Sequence, residues 1–216
     1  MPKFNEDLCQ ALPQAGLAIV CDGIGGRSGN GLRAAETAVE KVIAQIGNKI
    51  LEVETQKQQL LISKESRKVY LQNLDRVVQE ISSDIRTLSQ DPSLAGVCTS
   101  LDILLWQETH LFVAHVGAGR VYLVRKGESY QLTEDHTYHA HLKRIGQLEA
   151  VPETERPGLV RRLTRAVGFE ENVRVDLMEV EVQEGDRFFA VTDGAWLPIG
   201  DERMEGLIAA QLEQPA

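Results

Sequence analysis

Two stretches of the chain carry apolar residues at the three- and four-residue spacing of amphipathic helices. The first lies at 32–50 and the second at 71–88. The positions between the apolar residues are mostly charged or polar, so each helix would bury one face and leave the other in water. The segment 52–64 between them is polar, and it fits either an extension of a helix or a loop.

From about position 97 the apolar spacing changes to that of strands. Short polar or glycine-containing connections, such as Gly117-Ala118-Gly119 and Lys126-Gly127, separate the apolar runs and predict antiparallel neighbours. A closing helix is predicted from Asp201, a suitable N-cap, to Leu212. The predicted strands are 17–21, 99–106, 110–116, 120–125, 130–132, 173–182 and 187–192.

This order of elements predicts an α+β fold. We expect a β-sandwich of mostly antiparallel strands flanked by helices, with the two long helices packed on one face. The chain has 216 residues and 43% hydrophobic residues, which suit one large domain over 1–216. The polar segment 133–160 is predicted to be a surface flap.

The composition limits the classes of partner and the cellular location that we expect for the protein. The net charge of −9 argues against nucleic acid as the main partner. No apolar run approaches the roughly 20 residues that cross a bilayer, so no membrane partner is expected. The N-terminus lacks the pattern of a secretory signal. The three cysteines, Cys9, Cys21 and Cys98, are widely spaced and fit free thiols in a reducing, cytoplasmic location.

An aspartate-glycine pair ends two of the predicted strands. Asp22-Gly23 follows the strand 17–21, and Asp193-Gly194 follows the strand 187–192. A strand that stops on an acidic residue before glycine places a carboxylate at a sheet edge, with a backbone that can turn sharply behind it. Two such carboxylates brought together form an oxygen-ligand site for Mg²⁺ or Mn²⁺. Taken alone, either pair could equally be an ordinary turn.

Seven segments extend this pattern over nearly the whole chain. They read N-E-D at 5–7, I-V-C-D-G-I-G-G at 19–26, C-T-S-L at 98–101, F-V-A-H-V-G-A-G-R-V-Y-L at 112–123, L-T-E-D-H at 132–136, L-T-R-A-V-G at 163–168 and T-D-G at 192–194. In this order they resemble N-E-D, V-A-D-G-M-G-G, G-T-T-L, V-A-N-V-G-D-S-R-A-Y-L, L-T-x-D-H, L-T-R-A-L-G and S-D-G. Those are motifs of the PP2C-type (PPM) metal-dependent protein serine/threonine phosphatases, here in a bacterial-like form.

The resemblance implies a four-layer αββα sandwich with a two-metal centre, Mn²⁺ or Mg²⁺, at one end. It implies that Asp22 bridges the two ions, that the carbonyl of Gly23 contacts one of them and that Asp193 holds the other. Glu6 and Asp7 would be direct or water-mediated ligands. Metal-activated water would then hydrolyse phosphoserine or phosphothreonine in a phosphoprotein substrate, with Asp22 and Asp193 as the catalytic carboxylates.

Several positions depart from the family pattern. Ala118 stands where the G-D-S-R motif has an aspartate that serves a third metal, so a third site is not expected. The family's phosphate-binding arginine before N-E-D has no counterpart except Lys3, and Arg27 is a second candidate for that role. The family's first strand and its final D-N strand are expected to be missing from 1–216. The basic residues Arg161, Arg162 and Arg165 fit either a solvated surface or a phosphoprotein-binding surface.

Three classes of function remain open at this point. The first is an active phosphoprotein phosphatase, which the retained Asp22, Gly23 and Asp193 favour. The second is a degenerate phosphatase fold that binds a phosphoprotein or another partner without turnover. The third is an incomplete domain whose open sheet edge is completed by a partner chain. A zinc site at His136, His139 and His141 is not favoured, because no cysteine or acidic residue completes it.

Overall fold

Two antiparallel sheets form the centre of the computed structural model, which describes residues 5–25, 30–47 and 64–210. The strands of the larger sheet are β1 Asp7–Leu12, β2 Leu17–Ile24, β3 Cys98–Gln107, β4 His110–Val116 and β7 Asp176–Glu181. The smaller sheet contains β5 Arg120–Arg125, β6 Glu128–Gln131 and β8 Arg187–Val191. The strand orders are β1-β2-β3-β4-β7 and β6-β5-β8, and every neighbouring pair is antiparallel.

Helices cover the outer faces of both sheets. The larger sheet is covered by α1 Gly31–Val42, which continues into a π-helical turn at Ile43–Gly47, and by α2 Lys64–Leu88. The smaller sheet is covered by α5 Asp193–Ile199 and α6 Asp201–Ala210. Two short helices, α3 Tyr138–Arg144 and α4 Arg156–Val160, lie in the segment that connects the sheets.

Three apolar clusters hold these layers together. The largest joins the outer face of the larger sheet, including Ile19 and Ile103, to the apolar faces of α1 and α2. A second, with Leu104, Val113 and Val121, fills the space between the sheets. A third lies under α5 and α6 and includes Trp196. The molecule therefore has the four-layer αββα arrangement that the sequence predicted, with both long helices on one face.

Strand β1 and helices α3, α4 and α5 were not indicated by the hydrophobic pattern, and α3 and α4 lie in the segment predicted to be a surface flap. Strand β1 was missed because it is an edge strand, and Cys9, Gln10 and Ala11 in its middle are exposed, so no alternation marks it. Helix α5 was missed because Gly194 and Pro198 are typical helix breakers.

The remaining predicted bounds differ by a few residues. The strand predicted at 173–182 begins at 176, and the closing helix is described from 201 to 210. Of the predicted first helix, 48–50 lie outside the described residues, as does 52–63 of the ambiguous segment. None of the described helices is both long and apolar enough to span a bilayer.

Candidate metal centre and active site

The candidate site begins with two aspartates on neighbouring strands. Asp7, the first residue of β1, pairs directly with Asp22 on β2. On its other side Asp22 is fixed by β3, because its backbone N–H donates to Ser100 Oγ at 3.0 Å and its carbonyl accepts from Thr99 Oγ1 at 3.0 Å. Side chains of directly opposed strand residues lie on the same face of a sheet, so the two carboxylates face the same end of the sandwich.

The third aspartate reaches this point from the smaller sheet. Strand β8 ends at Val191, Thr192 is the N-cap of α5, and Asp193 lies in the first helical turn. Thr192 Oγ1 donates to Asp7 Oδ2 at 3.3 Å, which ties the start of α5 to strand β1. The Asp22 carboxylate is within hydrogen-bonding contact of both Asp7 and Asp193. The predicted convergence of Asp22 and Asp193 is therefore present in the structure, and Asp7 belongs to the same cluster.

The cluster is electrostatically unfavourable without a cation. Burial, followed by the negative charges of Asp193 and Asp7, raises the pKa of Asp22 from 3.8 to about 8. Burial also raises the pKa of Asp193, although Arg161 and the contact with Asp22 act in the opposite direction. Like-charged carboxylates in contact hold a proton that isolated carboxylates would release at neutral pH. A divalent cation would relieve the same repulsion.

The donor set fits hard divalent cations bound with water. Within the described ranges, no three His, Cys, Asp or Glu side chains are arranged to hold one ion together. Mg²⁺ and similar ions need fewer protein ligands than that, because one or two carboxylates usually suffice and water completes the coordination. The contacts of Asp22 with Asp7 on one side and Asp193 on the other supply two such carboxylate pairs.

Glu6 and Gly23 have structural contacts beside the cluster. Glu6 Oε1 accepts a hydrogen bond of 2.6 Å from the N–H of Gly31, the first residue of α1, and so caps that helix. The Glu6 carbonyl accepts from the N–H of Gly23 at 3.0 Å. Gly23 must lack a side chain, because a Cβ there would lie 2.3 Å from the carbonyl oxygen of Gly31. Both residues thus pack α1 against the end of β2.

A cleft of about 250 Å³ opens over the aspartates. Arg161 and Arg165 supply positive charge to its wall, and Phe169, with 63% of its surface exposed, forms part of its apolar rim. Arg165 Nη1 donates to Asp176 Oδ1 at 2.6 Å, whereas the exposed Arg161 acts electrostatically on Asp193. The cleft is lined by Asp22, Ile24, Cys98, Ser100, Ala118, Arg161, Leu163, Arg165, Ala166, Phe169 and Asp193.

Three positions from the sequence comparison complete this description. Lys3 and Arg27, the predicted phosphate-binding residues, lie outside the described residues. Ala118 lines the cleft with only a methyl group, and its carbonyl accepts from the indole N–H of Trp196 at 2.9 Å. In the sequence, Arg161 belongs to a basic run at 161–165. That run alone fits a phosphoprotein-binding surface and an ordinary solvated surface equally well.

Comparison with known proteins agrees with this geometry. The family model "Protein phosphatase 2C" matches residues 16–211. The chain belongs to the protein phosphatase 2C family. The family resemblance found in the motifs is therefore confirmed.

Individual relatives are bacterial serine/threonine phosphatases. The chain is 28% identical over 196 residues to "Serine/threonine phosphatase stp" of Listeria monocytogenes, covering 90% of this chain and 72% of the relative. It is 32% identical over 216 residues to "Serine/threonine protein phosphatase PstP" of Mycobacterium tuberculosis, covering 98% of this chain and 37% of the longer relative.

Solved structures show the same fold. The crystal structure of the Mycobacterium tuberculosis phosphatase PstP/Ppp superposes with a TM-score of 0.76 at 26% identity, covering 100% of this chain and 81% of the other. A PstP catalytic domain in complex with two manganese ions superposes with a TM-score of 0.74 at 27% identity, covering 100% and 80%. The α+β sandwich prediction is confirmed by these neighbours.

Proposed function

We propose that this chain is a metal-dependent protein phosphatase that removes phosphate from phosphoserine and phosphothreonine in proteins. Membership of the protein phosphatase 2C family and the similarity to serine/threonine phosphatases support this function. The observation that carries it is the contact of Asp22 on β2 with Asp7 on β1 and with Asp193 on α5, beside the cleft that Asp22 and Asp193 line.

Asp22 would help to hold both of two divalent cations, Mn²⁺ or Mg²⁺, and its contacts with Asp7 and Asp193 support this role. Asp7 and Asp193 would each hold one ion, and the Gly23 carbonyl is a further candidate ligand. Glu6 would act as a water-mediated ligand, since its carboxylate already accepts a hydrogen bond from the N-terminus of α1. When bound, the cations would supply a water of lowered pKa and neutralise charge on the phosphate.

Among the residues that the structure describes, Arg161 would attract the phosphate, while the predicted roles of Lys3 and Arg27 stay predictions. It is exposed at the cleft wall, and its charge is felt by Asp193. A guanidinium can bind two phosphate oxygens at once, which would orient the ester in the cleft. Arg165 lines the same wall, but its contact with Asp176 fixes it in place.

The apolar wall of the cleft suits a protein segment more than a small polar phosphate ester. Ile24, Leu163, Ala166 and the exposed Phe169 lie beside the charged residues. Side chains flanking a phosphorylated serine or threonine could pack against this wall, which would exclude bulk water from the ester. The expected substrate is therefore a phosphorylated polypeptide.

The direct test is hydrolysis of a phosphoserine and a phosphothreonine peptide with Mn²⁺, Mg²⁺ or chelator. We expect cation-dependent release of phosphate by the wild type and none by Asp193→Asn. Asp84→Asn is a matched control, because this acid lies on α2 and is paired with Lys41 at 2.7 Å, away from the cleft. Peptide binding without phosphate release at any cation concentration would instead support the non-catalytic binding module.

A further inference from the structure

One rung below the aspartate cluster, ionisable residues form a row across the larger sheet. Asp102 on β3 pairs with His115 on β4, and His115 pairs with Asp176 on β7. Strand alternation places this row on the inner face of the sandwich, the same face as Asp22. Asp102 and His115 are both completely buried.

His115 contacts a hydrogen-bond acceptor at each ring nitrogen. Its Nδ1 lies 2.7 Å from Asp102 Oδ1, and its Nε2 lies 3.0 Å from the carbonyl oxygen of Glu134. A neutral imidazole carries one N–H only, so it could satisfy just one of these acceptors. With Asp102 ionised, both contacts are satisfied only by the doubly protonated, positively charged ring.

A second histidine continues the network toward the cleft. His136 Nδ1 accepts from the N–H of Gly117 at 3.0 Å, so its proton is on Nε2, which donates to Asp176 Oδ2 at 3.1 Å. The rings of His136 and His115 have centroids 4.5 Å apart. Asp176 also accepts from Arg165, which lines the cleft.

We propose that the buried Asp102–His115 ion pair is a positioning element for the candidate active site. The charged ring holds the Glu134 backbone, and next to it His136 and Asp176 fix the Gly117 turn and Arg165. Ala118, which follows that turn, also lines the cleft. The effect on catalysis rests on the proposed function. The charge of His115 and the way His115 fixes the 134–136 segment do not rest on it.

The surroundings of Asp102 explain why the partner must carry a charge. Its Oδ2 is one of the buried side-chain atoms that lack a hydrogen-bond partner among the described residues. The same oxygen would lie 1.9 Å from a Cβ at position 119, so the backbone of Gly119 packs directly over it. His115 is therefore the main compensation for the buried carboxylate. The motif that resembles this segment has asparagine at position 115, which could not neutralise the charge.

The pKa of His115 supports this charge state. Burial alone would lower its pKa, but the Asp102 charge, the hydrogen bonds to Asp102 and Glu134 and the more distant Asp176 raise it above the usual 6.5. The other ionisable groups near the ring are His136, whose pKa burial and the His115 charge lower to about 4, and Arg165 beyond it. The ion pair is thus fully formed below pH 6.5 and is lost as pH rises through the higher folded pKa.

Nitrogen NMR of the histidine rings tests the charge directly. In the wild-type protein we expect the His115 ring to show two protonated nitrogens at pH 7, while His136 shows one. Assignment comes from comparison with His115→Asn. A neutral His115 at pH 7 would overturn the proposal without bearing on phosphatase activity.

Asp102→Asn tests the positioning role. With the anion removed, burial should leave His115 neutral, so its hydrogen bond to the Glu134 carbonyl loses its charge assistance and weakens. We expect amide exchange of the 134–137 segment to accelerate about tenfold, and kcat/KM for a phosphopeptide to fall by a similar factor. In the wild type we expect kcat/KM to fall as pH rises through the raised pKa of His115, and this fall should be absent in Asp102→Asn, because its neutral ring has no charge left to lose.

Val113→Ala is the matched control, since Val113 is buried on the same face of β4, two residues from His115. Val113→Ala should lower thermal stability. The exchange rate of 134–137 relative to global exchange and the pH profile of kcat/KM should both stay as in the wild type. Unchanged exchange and kinetics in a folded Asp102→Asn would overturn the positioning role. Should that variant fail to fold, exchange of 134–137 in the wild type, measured against pH relative to global exchange, decides the question. The proposal requires an acceleration beyond the intrinsic rise of amide exchange with pH as His115 deprotonates.

Discussion

Two groups of carboxylates meet at the inner face of the larger sheet, one pleat repeat apart, with Asp193 reaching the outer group from α5, and their electrostatics are opposite. At the open end, Asp22 contacts Asp7 and Asp193, and burial together with their like charges raises its pKa to about 8. One rung deeper, Asp102 and Asp176 each contact a histidine, and Asp176 also contacts Arg165. Within the described ranges, the exposed Arg161 compensates the outer group only electrostatically, whereas the inner group has positive charge in hydrogen-bonded contact.

This difference separates a binding site from a supporting structure. Crowded like charges cost stability unless an external cation enters, so they are retained where a cation is used. Opposite charges in hydrogen-bonded contact gain little net stability, but they hold specific geometry. The comparison therefore supports the proposals that the outer group binds cations and that the inner group positions the site.

The largest expected effect comes from removing the central carboxylate of the outer group. Asp22→Asn should lower Mn²⁺-dependent kcat/KM by about a thousandfold or more, because loss of a shared ligand removes several kcal/mol of cation-derived catalysis. The same variant should melt at a higher temperature than the wild type in chelator at pH 8, because the like-charge repulsion is gone. Kinetics and calorimetry measure the two changes. Loss of activity together with loss of stability would contradict this assignment.

Cation removal should expose a pH dependence that the cation hides. The folded pKa of Asp22 is about 8, against 3.8 ordinarily, so the folded state favours its protonated form. In chelator, stability should therefore fall as pH rises from about 4 to about 8. Mn²⁺ at a hundred times its Kd should restore about 2.7 kcal/mol and flatten the slope.

Melting temperatures at pH 5, 6.5 and 8, with and without Mn²⁺, measure this effect. The Asp102–His115 pair also loses stability at high pH, so the comparison needs Asp22→Asn beside the wild type. That variant should lose most of the slope in chelator and keep the part due to His115. A slope identical in both proteins would show that Asp22 does not carry it.

The sequence predicted the outer group well because its signals are local. An apolar strand followed by Asp-Gly is visible in a short window, and it occurs at both Asp22 and Asp193. Asp7 entered only through family resemblance, since its edge strand shows no alternation. Its contact with Asp22 depends on strand pairing, which the local pattern did not reveal.

The inner group was missed because of strand register. The sequence predicted a three-residue connection at 107–109, whereas strand β3 continues through Gln107, which pairs with His110 across a two-residue turn. Glu108 takes a positive φ of 52° in this turn, which is unusual for a residue other than glycine. Because a one-residue slip reverses the faces, only the correct turn places Asp102 opposite His115. Recognising that turn would have paired the two ionisable residues.

A smaller effect is expected from removing a positive charge at the wall of the cleft. Arg161→Ala should raise KM for a phosphopeptide about tenfold with little change in kcat, because an exposed charge–phosphate contact contributes about 1.4 kcal/mol. Arg161→Lys should lose less. The control is Arg162→Ala, whose guanidinium lies over the Tyr138 ring at 4.3 Å and does not line the cleft. Equal KM changes at 161 and 162 would mean that general charge, and not Arg161, attracts the substrate.

The smallest expected effect comes from adding a carboxylate to the outer group. Ala118 lines the cleft beside Asp22 and Asp193, so Ala118→Asp would place a fourth acid near the three already in contact. Without cation the added repulsion should lower the melting temperature by a few degrees, since about 1 kcal/mol corresponds to roughly 2–4 °C at this chain length. With cation, the Mn²⁺ concentration for half-maximal rate should fall a few-fold, because an extra anionic oxygen strengthens cation binding. Ala118→Asn has nearly the same shape without the charge and should show neither change. If both variants behave alike, the effect is steric at the Ala118–Trp196 contact, and the outer group is not limited by its negative charge.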